Sequence, residues 1–236
     1  MAGRVTRRVA FACVYLAGYL LAELVYILLT PHAQTALIAW ASTNVANLEH
    51  EPIGPLILSA FVGPGYYVVW PVLIALAVFG ANRALGTART VLICVAGHVI
   101  GTCVSEGIIA YRIGAGQLPA ADRYLTDVGP SYVVVSAIVI AVACGTALAR
   151  TAAALDFAVL VFGGHIFSGL SHADVSAVGH LTALLTAVAV VALIQAERAR
   201  AARARTASRR PSGDVADQDA DQVGDPGGAG AQEELA

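Results

Sequence analysis

Long apolar runs set the pattern of this chain, with polar residues gathered into short clusters between them. Six runs reach the length of about 20 residues that a helix needs to cross a hydrocarbon core. They cover residues 9–29, 55–80, 90–110, 130–149, 152–170 and 174–196. The pattern predicts an all-α, polytopic membrane protein with six transmembrane helices. The first run is too long for the apolar part of a signal peptide. Glu23 and Tyr26 also stand where a small-residue cleavage site would be expected, so it reads as a retained helix.

The connections refine this picture. Arg4, Arg7 and Arg8 precede the first segment, Arg83 and Arg89 separate the second from the third, and Arg150 separates the fourth from the fifth. A dense set from Arg198 to Arg210 follows the sixth. With six alternating spans these arginines share one side, and only Arg112 and Arg123 fall on the other. The positive-inside rule then places both termini in the cytoplasm, in a cell membrane. Residues 1–197 read as the membrane domain. Residues 198–236 read as an arginine-rich stretch followed by an acidic, disordered tail. The arginines read as a topology anchor held near anionic lipid. Two external connections are long, 31–54 and 111–128. The first contains Ala36-Leu37-Ile38-Ala39-Trp40, apolar enough to lie in the membrane interface.

Composition narrows the function classes. The chain is 58% hydrophobic and 13% charged, which excludes an ordinary soluble domain. Its formal net charge of -2 gives no basic field for nucleic acid. The four cysteines lie in apolar segments without CxxC spacing and read as small core residues. There is no H-E-x-x-H for a zinc protease, and no cofactor is expected.

The polar residues inside the apolar runs carry the functional information. Ser131 opens the fourth segment and His180 lies early in the sixth. Counting 1.5 Å per residue from the basic edge puts Ser131 at about 28 Å and His180 at about 26 Å. Tyr66 and Glu106 fall near the same level, while His98 lies deeper, at about 13 Å. Such a level suits one site opening toward the outer face. Pro130 is suited to start a helix, which leaves Ser131 in a first turn whose backbone N–H groups have no helical partner. That is the setting for an oxyanion site beside a nucleophile. Gly129 allows close approach of a substrate backbone, and His180 is the candidate base. Small residues near Ser131 equally suit plain helix packing. Asp127 is placed to cap the fourth helix. Glu106 reads as solvated in the headgroup region, His98 as hydrogen-bonded to a neighbouring helix, and Glu23 and Asp156 as paired or water-exposed.

Several local patterns resemble the rhomboid family of intramembrane serine proteases, and in particular its divergent actinobacterial rhomboid-like members. Leu58-Ser59-Ala60-Phe61 resembles the entry to the family's second helix, and Arg83-Ala84-Leu85-Gly86-Thr87 the turn that closes it. Gly129-Pro130-Ser131 matches the first part of G-x-S-G. Gly179-His180, with Ala183 and Ala187, resembles A-H-x-x-G-x-x-x-G with small residues at both glycine positions. The resemblance implies a six-helix rhomboid-like bundle, Ser131 as nucleophile and His180 as base. Single-pass membrane proteins are the implied substrates, or clients if the protein binds helices without cutting them. The chain departs from the pattern at Tyr132, where the second glycine of G-x-S-G would stand. Val135 replaces an aromatic residue one turn beyond the serine. Tyr66 and Trp70 align with the family's oxyanion-supporting His and Asn. Tyr66 keeps a donor there and, with Gly129, is the expected support for the oxyanion.

Overall fold

The computed structural model describes residues 9–63, 65 and 67–208. Among these residues every regular element is helical. The elements are α1 (Ala10–Leu28), α2 (Pro31–Ala41), α3 (Val45–His50), α4 (Ile53–Leu58), α5 (Val69–Leu85), α6 (Thr87–Gly114), α7 (Ser131–Cys144), α8 (Ala147–Ala158) and α9 (Val175–Ser208). Short 3-10 turns occupy Ala120–Tyr124 and Leu170–His172. Among the described residues α1, α6 and α9 include stretches long and apolar enough to cross a membrane, and α5 and α7 are shorter apolar helices.

Three expected spans change shape. The second does not run as one helix from residue 55 to 80. It divides into the short α4, a non-helical stretch and then α5. Gly63-Pro64-Gly65 lies at the division, where a proline disfavours helix in the residue before it and Gly65 takes φ +90°. The fourth is only 14 residues long, about 21 Å, because the chain turns at Gly145 and Thr146 caps α8 by accepting from the Ala149 N–H. Arg150 therefore belongs to the next helix, and counting depth from it overstates the height of Ser131. The fifth ends in a π-turn, Val159–Gly163. The long connection 31–54 is also more regular than expected, since it folds into α2, α3 and the start of α4.

Helix α7 is central. Tyr132–Ile138, Ile140 and Ala141 are all buried, as suits a helix that is apolar all round. It packs against α5, α6 and α8. Glycines set its approach to α6 and α9. A Cβ on Gly97 would collide with Ser136 Oγ. One on Gly101 would stand 3.0 Å from the Gly179 carbonyl oxygen and 3.5 Å from Ala183 Cβ. Ala183 and Ala187 are fully buried, so the small residues of the sixth segment are spent on close helix contact.

The described residues fall into two compact units, divided between Ile194 and Gln195. The described part of the second is the exposed, arginine-bearing end of α9. The expected disordered tail lies outside the described residues. Of the cysteines, Cys94 is buried, whereas Cys13 and Cys103 are exposed on helix surfaces, so the core reading holds for Cys94 and not for those two.

Candidate active site

Ser131 is the first residue of α7, with Pro130 as its N-cap. Pro130 contributes the first helical acceptor, taking the Val134 N–H at 2.9 Å. The N–H groups of Ser131 and Tyr132 lie in the first turn, where a helix supplies no backbone acceptor. Gly129 has φ +140°, a conformation open to glycine, and this bend leads the chain into α7. Its N–H is already committed to the Ser59 carbonyl at 2.8 Å. Gly129 therefore ties the helix entry to the segment after α4 and has no free donor for an oxyanion.

His180 is buried in the second turn of α9. Its Nδ1 meets Ser176 Oγ at 3.3 Å, and its Nε2 has no hydrogen-bond partner among the described residues. Ser131 and His180 line one cavity of about 370 Å³. Trp70 and Leu73 of α5 form another part of its wall, and Val159, Leu160 and Gly163 of the π-turn a third. The i→i+5 turn, closed by Gly164 N–H to Val159 O at 3.0 Å, widens the helix here, as π-turns do at many functional sites. No hydrogen bond joins Ser131 to His180. Tyr66 lies outside the described residues. Trp70 is found in the wall, with its indole beside Gly63 and Tyr19.

Of the acidic residues within and beside the apolar runs, Glu23 matches its sequence reading, while Asp127, Glu106 and Asp156 differ from theirs. Asp127 makes no cap bond to α7. Its carboxylate instead accepts the Tyr132 hydroxyl at 3.1 Å and the Thr43 hydroxyl at 3.3 Å. Its N–H donates to Ser42 Oγ at 2.9 Å, and its carbonyl accepts the Thr43 N–H at 2.9 Å. Burial pushes its carboxyl up to about 6, against the pull of the Tyr132 and Thr43 hydrogen bonds. Glu106 is buried rather than solvated, and its carboxyl faces the Val45 backbone at the start of α3. The α3 segment packs against α6 and keeps water from it. Glu23 is paired, with Oε1 accepting the Tyr19 hydroxyl at 3.0 Å and the Gly63 N–H at 3.1 Å. Asp156 is buried with Oδ2 unpartnered, so for that oxygen neither pairing nor water applies.

His98 bonds a neighbouring segment, as expected. Its Nε2 lies 2.9 Å from the Leu56 carbonyl and 3.2 Å from Ser59 Oγ. A carbonyl only accepts, so Nε2 carries the proton. It is then a donor toward Ser59 as well and cannot act as its base. His98 is also nearer to His180 than counted depth suggested. The Tyr132 ring centroid is 6.0 Å from that of His98 and 4.9 Å from that of His180. The two imidazoles are therefore no farther apart than the sum of those distances.

Tyr132 is the residue that sequence reasoning undervalued, because it entered only as a departure from a glycine motif. The structure lays it across Gly179, where a Cβ would collide with its phenol oxygen and Cζ. An acid five residues before a buried aromatic, at the entry to a helix, was the available signal. No curated protein and no solved structure matches the chain. A family model described as rhomboid-like protein matches residues 5–200. That match spans most of the chain, α1 through most of α9, and the chain belongs to the rhomboid-like protein family, a family of helical membrane proteins.

Proposed function

We propose that this membrane protein is an intramembrane serine protease of the rhomboid type, with Ser131 as nucleophile and His180 as general base and acid. The reading rests chiefly on one observation: Ser131 and His180 share a cavity at the N-terminus of α7. In the mechanism, Ser131 Oγ attacks the scissile carbonyl while His180 Nε2 takes its proton. The oxyanion is held by N–H groups of the first turn of α7, aided by Tyr66. Collapse of the tetrahedral intermediate expels the amine, which receives the proton from His180. Water then hydrolyses the acyl-serine by the same steps, with His180 as its base. No cofactor is needed.

Substrates are single-pass membrane proteins whose helices unwind near the outer face. The six-span arrangement with both termini in the cytoplasm follows from the arginine distribution. A fluorophosphonate probe labels the wild type and fails to label Ser131→Ala. Equal labelling of the two overturns the reading.

A second reading is a rhomboid-like protein that binds or chaperones membrane helices without cutting them. The lack of a hydrogen bond between Ser131 and His180, whose Nε2 has no partner among the described residues, and the loss of the second motif glycine at Tyr132 favour it. It requires client binding that survives both Ser131→Ala and His180→Ala.

A further inference from the structure

His180 has one side-chain hydrogen bond, from its own helix, at 3.3 Å to Ser176. Among the described residues no carboxylate hydrogen-bonds its imidazole, as one does in a Ser-His-Asp triad. The Tyr132 ring instead meets the imidazole edge-on, with centroids 4.9 Å apart and planes at 84°. Tyr132 is itself held on several sides: the floor is Gly179, the far side faces His98, and the hydroxyl is bound to Asp127, with Ser105 also beside it. Asp127 is anchored through backbone and side chain to Ser42 and Thr43. A continuous set of contacts thus runs from the 42–44 link, through Asp127 and Tyr132, to the imidazole.

We propose that Asp127 and Tyr132 are positioning residues for His180: the carboxylate sets the phenol, and the phenol ring sets the imidazole plane. The consequence for catalysis rests on the proteolytic reading above. Neither residue touches the reacting atoms. The arrangement gives a buried acid on an external loop a mechanical link to the base.

The link titrates. Asp127 bonds neutral hydroxyls of Tyr132 and Thr43. The charged groups that act on it are carboxyls: Asp174 from the connection before α9 and Glu106 from α6. On the His180 side stand Asp174, Ser176, Tyr132 and, beyond it, His98. Once ionised, Asp127 accepts from both hydroxyls. Once protonated, one of its oxygens becomes a donor, and the Tyr132 hydroxyl loses its charge-assisted bond.

The test is ¹⁵N NMR of the histidine side chains in the full chain in detergent, followed over pH. His180 is assigned by loss of its signals in His180→Ala. In the wild type the His180 signals show a step at the Asp127 midpoint, near 6, besides any protonation of their own. The step is lost in Asp127→Asn, which keeps an acceptor but cannot titrate. It is lost also in Tyr132→Phe, which keeps the ring and removes the hydroxyl. Thr43→Val removes one donor from the ionised carboxylate and moves the step to higher pH. Identical His180 titrations in the wild type and in all three variants overturn the proposal. The readout needs no turnover, so failure of fluorophosphonate labelling would count against proteolysis alone.

Discussion

Tyr132 lies over Gly179 so closely that position 179 has no room for a methyl group. The contact joins the start of α7 to α9 one residue before His180. A Gly179→Ala protein must displace a buried ring that is hydrogen-bonded to Asp127. Overpacking of this kind costs about 1–3 kcal/mol. Tyr132→Ala should relieve it, so the double variant should lose clearly less stability than the two single losses added together. Thermal unfolding in detergent measures all four proteins. Strict additivity would mean that the two residues do not meet.

Asp127 gives the fold a pH dependence of definite sign. Its carboxyl ordinarily titrates at 3.8 and here at about 6. The folded state therefore holds the proton more tightly than the unfolded state. The stability this confers is complete below 3.8 and is lost as pH rises through about 6. Asp127→Asn removes the cost of ionising a buried acid. The variant should melt above the wild type at about pH 7.5, with the gap closing toward about pH 4. A gap that is constant across this range would show that Asp127 does not titrate between the two values.

The sequence carried the helical class and the family on evidence that needs no tertiary contact, namely run length, arginine spacing and short motifs. It also placed Ser131 at a helix start and His180 early in the last helix, because proline and glycine positions mark such places locally. It did not carry the break between α4 and α5 or the shortness of α7. Both were hidden because apolar residues continue through the turns and hydropathy does not distinguish a helix from a buried bend. Glu106 and Asp127 were misread for a related cause. Their surroundings come from the 42–50 segment, more than 50 residues away in the chain, and no periodicity within their own segments reports that cover.

Gly163 is the last residue of the π-turn in the cavity wall, and a Cβ built there meets nothing within 4 Å. A side chain can therefore start from this position without its Cβ displacing a neighbour. Gly163→Leu should narrow the cavity and slow fluorophosphonate labelling several-fold, with the unfolding temperature close to that of the wild type. Unchanged labelling with a bulky probe would mean that the probe reaches Ser131 by another face.

The two buried histidines should separate cleanly. His98 donates to the Leu56 carbonyl and sits beside Ser59, so its removal strands a buried acceptor at a cost of about 1–3 kcal/mol. His180 presents an Nε2 with no partner among the described residues and lines the cavity with Ser131. His98→Ala is expected to lower the melting temperature, with His98→Gln recovering part of the loss because an amide can donate to the same carbonyl. His180→Ala is expected to abolish probe labelling with a smaller change in melting. Thermal unfolding and labelling of the same preparations measure both. If His98→Gln abolishes labelling while His180→Ala retains it, the base is His98, and the cavity that holds Ser131 is not where the chemistry occurs.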